Sequence, residues 1–141
     1  MLKVFIDTNV WFSAFYGSKN AERLIKAHIN KEIKVVISQQ VLDELVKNVQ
    51  AKIPGALPHL EKLFQAIPPE ITKNPKVISL LVKKTVNPKD QSIFQTVLDS
   101  RIKFFVTGNL KHFKTEKIRR QTGVKIFNPA QAVQVCLPPR G

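Results

Sequence analysis

The stretch from Asn87 to Asn109, NPKDQSIFQTVLDSRIKFFVTGN, decides the fold. It opens on Asn87, a good N-cap, and on Pro88, which suits the first helical position. Ile93, Phe94, Val97 and Leu98 follow at helical spacing, so a helix is expected to about residue 101. Phe104-Phe105-Val106 then reads as a short buried strand ending on the polar run Thr107-Gly108-Asn109. A helix feeding a buried strand with no hairpin turn between them is the unit of a parallel sheet.

The same unit recurs outward from this stretch. Val4-Phe5-Ile6 is a strand ending at Asp7, followed by a helix with the i,i+4 pairs Trp11/Phe15 and Phe12/Tyr16 and by a second helix over 19–31. Val35-Val36-Ile37 is the next strand, and Ser38 is placed to cap a helix over about 39–50. Pro54, Gly55, Pro58, Pro68, Pro69 and Pro75 divide the middle into a short helix near 58–67, a turn, and a helix near 75–84. Val124 to Phe127 is a fourth strand, and Asn128-Pro129 opens a last helix to about Cys136. The expectation is one α/β domain over 1–141, with a parallel sheet covered on both faces and no repeat or linker.

Composition narrows the partner. The chain has 141 residues, 43% of them apolar, enough for a core and too many for a disordered polyelectrolyte. A net charge of +13 points to a polyanion, with nucleic acid ahead of an anionic membrane surface. The lone Cys136 excludes an internal disulfide framework and a Cys-rich zinc site, and fits a reducing compartment. No apolar run approaches the roughly 20 residues of a membrane span. The N-terminus runs straight into a strand pattern without a signal-peptide core, so no membrane association and a cytoplasmic location are expected.

Ligands of open parallel sheets bind beyond the carboxyl ends of the strands. Asp7-Thr8-Asn9, Ser38-Gln39-Gln40 and Thr107-Gly108-Asn109 lie there. At about 100° per residue, Asp90 falls inside the apolar arc of Ile93, Phe94, Val97 and Leu98, while Asp99 falls opposite. An inward carboxylate is expensive unless something satisfies it. Capping of the helix start accounts for Asp90, and for Asp7, as well as a functional role does. Asp43 and Glu44 flank their apolar stripe symmetrically, and the helical wheel does not choose between them. Jointly, carboxylates at one sheet edge repel, and a hard divalent cation is the usual remedy. In a basic protein this arrangement suits metal-assisted phosphodiester hydrolysis, in which an ion activates a water and neutralises phosphate charge.

These residues resemble the PIN domain family (named from the PilT N-terminus). Phe5-Ile6-Asp7-Thr8-Asn9-Val10 is similar to its opening signature, and Val41-Leu42-Asp43-Glu44-Leu45 to its second acidic element. Asn87-Pro88-Lys89-Asp90 and Phe105-Val106-Thr107-Gly108-Asn109 resemble its third and fourth. The resemblance implies a Rossmann-like three-layer α/β/α sandwich and a Mg²⁺- or Mn²⁺-dependent ribonuclease, often the toxin of a toxin–antitoxin pair. It also implies RNA as substrate, a 3′-hydroxyl and 5′-phosphate as products, an antitoxin protein as partner, and commonly a homodimer. Position by position, Asp7 takes the first metal-ligand place, Glu44 the second and Asp90 the third. Thr8 and Asn9 take places that orient ligands or water. The chain departs from the pattern at Asn109 and Asn87, where many relatives carry Asp, and at His112, where a further acid is common. A single well-held ion is therefore expected, with Asn109 positioning water or phosphate or helping to hold a second ion recruited with substrate. The alternative is a catalytically weak or inactive PIN-like module that binds RNA or an antitoxin-type protein.

The positive charge clusters near these elements. Arg101, Lys103, Lys111, Lys114, Lys117, Arg119, Arg120 and Lys125 are offset by Glu116 alone. Lys111, Lys114, Lys117, Arg119 and Arg120 are the expected contacts to an RNA backbone, against the alternative of a solvated lysine-rich surface. Trp11, Phe12, His112 and Cys136 are expected to be structural.

Overall fold

A computed structural model describes residues 1–139 of the chain. Its strands are β1 (Lys3–Ile6), β2 (Lys34–Ser38), β3 (Glu70–Thr72), β4 (Phe104–Val106) and β5 (Lys125–Phe127). Every pairing is parallel, in the order β3-β2-β1-β4-β5. The helices are α1 (Thr8–Phe15), α2 (Lys19–Ile29), α3 (Gln39–Lys52), α4 (Leu57–Ala66), α5 (Leu80–Thr85), α6 (Gln91–Asp99), α7 (Thr115–Thr122) and α8 (Pro129–Cys136). Helices α1, α2, α3, α4 and α8 pack among themselves, as do α5, α6 and α7. With right-handed crossovers, the two groups cover opposite faces of the sheet, which makes a three-layer sandwich. No helix among the described residues is long and apolar enough to cross a membrane.

Burial explains why the strands lack alternation. Val4, Phe5 and Ile6 are all buried, as are Val35, Val36 and Ile37, because both faces carry helices. Phe5 pairs with Val36 on one side and Phe105 on the other. Phe94, Phe105 and Phe113 form a mutual edge-to-face cluster with centroids 5.4–5.7 Å apart. This cluster anchors the chain after β4 to the underside of α6. Helix ends follow local chemistry. Ser38 accepts from Val41 N–H, Asn128 and Gln131 form a capping box, and Gly123 closes α7 with φ +78°.

The middle of the chain departs from expectation. A fifth strand, β3, lies where a turn was expected, and the helix near 75–84 is confined to Leu80–Thr85, capped by Ser79. β3 is short and on the sheet edge, with Ile71 exposed, so it carries no apolar run. The helix expected from Pro88 begins as a 3₁₀ turn, Pro88–Asp90, and only then becomes α6.

One buried polar group supports this frame. His28 of α2 accepts from Val35 N–H through Nδ1 at 3.2 Å, and its Nε2 lies 3.1 Å from Ile67 O. A carbonyl can only accept, so Nε2 carries the proton and the ring is neutral. Burial lowers its pKa below the ordinary value. Its contribution to stability is therefore present above the usual histidine pKa and is lost as pH falls through the folded value. Between pH 7.5 and 5.5, the Tm of the wild type is expected to fall more than that of His28→Gln. Parallel pH profiles would contradict this.

Candidate metal centre

The loops leaving β1 and β4 meet where the strand order reverses, the place at which open α/β sheets form a crevice. Asp7 N–H donates to Val106 O at 3.0 Å, so the two strand ends are tied before their loops diverge. The Asp7 carboxylate is buried between them. Thr8 N–H donates to its Oδ1 at 2.8 Å, and Thr107 Oγ1 donates to its Oδ2 at 2.9 Å. Thr107 Oγ1 in turn accepts from Asn109 N–H at 3.2 Å. Asn9 ties the loops again, its Oδ1 accepting from Gly108 N–H at 2.9 Å. A Cβ on Gly108 would lie 3.2 Å from that oxygen, so the close approach favours glycine.

The other two acids converge from different elements. Glu44 on α3 is half-buried and accepts from Gln40 Nε2 at 3.3 Å. Gln40 Oε1 accepts from Ser92 Oγ at 2.6 Å, linking α3 to α6. Asp43 is exposed and bonded to Gln39, so Glu44 is the acid that turns inward. Asp90 is buried and Asp99 exposed, as the helical wheel indicates. The Asp90 carboxylate does not cap α6; its Oδ2 lies 2.8 Å from His112 Nδ1. Asp7 does serve as the N-cap of α1 through Thr8 N–H.

Electrostatic repulsion couples the three acids. Burial pushes Asp7 up to about 6, the bonds from Thr107 and Thr8 oppose that rise, and the charges of Asp90 and Glu44 add to it. Burial also raises Glu44, with Gln40 opposing and Asp90 adding. Among the described residues, neither Asp7 nor Glu44 has a Lys, Arg or His within ion-pair distance. Thr8 Oγ1, beside Asp7, is buried without a hydrogen-bond partner. No three His, Cys, Asp or Glu side chains among the described residues stand close enough to form a ready-made chelating set. The donors nevertheless suit a hard cation in kind, being carboxylate oxygens, and Mg²⁺ is commonly held by one or two carboxylates plus waters.

The rim is basic. Asn109 is exposed, and Lys111, Lys114, Lys117, Arg119 and Arg120 are exposed with it. Lys111 and Lys114 share a pocket of about 260 Å³ with Lys84, Asn87 and His112. Lys117 lies across from Lys84 in a neighbouring pocket with Leu80, Leu81 and Gln121. Arg119 is engaged by Glu116. A larger cleft of about 590 Å³ holds Lys73, Lys76, Asn74 and Gln95 at the β3 end. His112 and Thr107 are the contacts that sequence reasoning did not assign. Thr107 was visible only as a polar residue at a strand end, and nothing local marks His112 as a partner of Asp90.

The arrangement defines a doubly wound α/β protein with carboxylates gathered at its switch point. A PIN domain family model matches residues 3–111, and the chain belongs to that family. Its structure is similar to that of VapBC2 from Rickettsia felis, solved bound to a DNA fragment from their promoter. That match has a TM-score of 0.62 and 16% identity, and covers 90% of this chain and 98% of the other. At this identity the likeness shows the fold. No curated protein matches the chain.

The raised Asp7 pKa carries a stability consequence. Its protonated form favours the fold, so this contribution is complete below the ordinary carboxylate pKa and is lost as pH rises through about 6. At pH 7 the ionised group costs the metal-free fold up to about 3 kcal/mol. In EDTA, Asp7→Asn is expected to melt above wild type at pH 7, with the difference closing near pH 4. A variant less stable than wild type at pH 7 would contradict this.

Proposed function

We propose that the chain is a divalent-metal-dependent ribonuclease that hydrolyses RNA phosphodiester bonds, with Asp7, Glu44 and Asp90 holding Mg²⁺ or Mn²⁺. One observation carries the reading. In a chain of net charge +13, Asp7 and Glu44 are drawn together at the switch point with no cationic side chain in ion-pair range among the described residues. Such a cluster is costly as it stands and is relieved by a bound cation. When bound, the ion would neutralise charge on the scissile phosphate and acidify a water.

The chain's own groups do the rest. Thr8 and Thr107 orient Asp7, Asn9 holds the two loops in register, and Gln40 orients Glu44. Asn109, an uncharged amide at the rim, would place a water or a phosphate oxygen. Lys111, Lys114, Lys117, Arg119 and Arg120, joined by Lys84, would track the RNA backbone, giving affinity without sequence readout. Membership of the PIN family supports a toxin-type role with an antitoxin partner, a homodimer and a cytoplasmic setting as parts of the same proposal. One domain serves all of these.

A second reading is a PIN-like module that binds RNA or an antitoxin-type protein without cutting. Asn109 and His112 favour it, because they stand where the resemblance leads one to expect acids.

Incubating a mixed RNA pool with Mn²⁺ or Mg²⁺ decides between them. Wild type should cleave, EDTA should stop it, and Asp7→Asn should lose more than about 100-fold, beyond the range of outer-contact changes. Equal activity in the two proteins would remove the proposed site. Salt-sensitive RNA binding without cleavage at any Mn²⁺ concentration would select the second reading. Asn109→Asp should bind Mn²⁺ more tightly in calorimetry, since it adds a charge at the rim; unchanged affinity would place Asn109 outside the ion's reach.

A further inference from the structure

The segment from Thr107 to His112 grips two of the three acids. Thr107 Oγ1 donates to Asp7 Oδ2, and His112 Nδ1 meets Asp90 Oδ2 at 2.8 Å. The tautomer with its proton on Nδ1 donates to this carboxylate oxygen. It is the one side-chain hydrogen bond made by Asp90 among the described residues, since that carboxylate does not cap its helix.

The His112 backbone is locked to the element that carries Asp90. His112 O accepts from Asn87 N–H at 2.8 Å, at the start of the Asp90 turn, and His112 N–H donates to Asn109 O at 3.0 Å. Val86 bridges Phe113, and Lys114 N–H donates to Thr85 O at 2.8 Å. Phe113 is wedged against Phe94 and Phe105. These backbone ties hold the imidazole beside the Asp90 carboxylate.

We propose that His112 is a positioning residue for the cation site, its Nδ1–H bond fixing the orientation in which Asp90 meets a divalent ion shared with Asp7 and Glu44. This rests on the metal-site reading above. Hydrogen bonds to ligating carboxylates set their orientation, and losing such a partner typically weakens metal binding by about 10–100-fold. His112 occupies a place where an acid would add charge to the site. It contributes geometry there instead, and it would leave the ion to Asp7, Asp90 and Glu44, directly or through waters.

Calorimetric titration of Mn²⁺ into the full chain tests this, with metal-free Tm measured alongside. His112→Ala should raise the Mn²⁺ Kd by about 10–100-fold. His112→Asn, which keeps a side-chain N–H donor at similar reach, should restore most of the affinity, while the metal-free Tm of the two variants is alike. Should His112→Ala fail to fold, His112→Phe, which keeps a ring without the donor, takes its place on the same terms. Wild-type affinity in the variant without a donor, or no rescue by Asn, would overturn the positioning role. Asp7→Asn separates the two levels. If it binds Mn²⁺ as wild type does, the metal-site reading itself falls. If it loses binding while His112→Ala keeps it, only the role of His112 falls.

Discussion

A carboxylate buried between two parallel strands is the constraint on which the rest of the structure turns. Asp7 closes the central strand, and Thr107 closes its neighbour across the point where strand order reverses. Their bond exists because both strands are parallel and end together, which in turn requires helices on both faces of the sheet. Burial then makes the charge of Asp7 expensive, and Glu44 and Asp90 make it more so. The fold thus brings Asp7, Glu44 and Asp90 into mutual electrostatic reach from elements distant in sequence, α3, the turn before α6 and the end of β1, with Thr107 at the end of β4.

The strongly positive surface belongs to the same account. Lysines and arginines cannot be buried cheaply, and here they stay exposed on the rim, as at Lys84, Lys111 and Lys114. The acids that matter lie inside it. An anionic polymer drawn to the rim would there meet Asp7 and Glu44, which have no cationic side chain in ion-pair range among the described residues. In the proposed function a cation from solution would complete that place, so attraction and chemistry would fall to different residues.

How much of this was legible in the sequence depended on whether the signal was local. The strands containing Phe5, Val36 and Phe105 are continuous apolar runs, and the wheel separated Asp90 from Asp99 because both lie on one helix. β3 was hidden because an edge strand holding Glu70 and Thr72 needs no apolar pattern. The helix expected near 75–84 starts only at Leu80, because Ser79 supplies its N-cap and residues 75–78 lie outside it. Periodicity could not choose between Asp43 and Glu44; the choice depends on Gln40 and Ser92, which meet only in the folded chain. The partnership of His112 with Asp90 is likewise tertiary, created by the Asn87–His112 backbone bond. Capping was the ordinary explanation for both aspartates, and it holds for Asp7 but not for Asp90.

The most direct test of the cation site is anomalous diffraction from crystals of the wild-type chain soaked in Mn²⁺. An anomalous peak is expected within about 2.2 Å of an Asp7 carboxylate oxygen, with Asp90 or Glu44 also in its shell or bonded through its waters. Ordered Mn²⁺ elsewhere on the molecule, with none at Asp7, would contradict it.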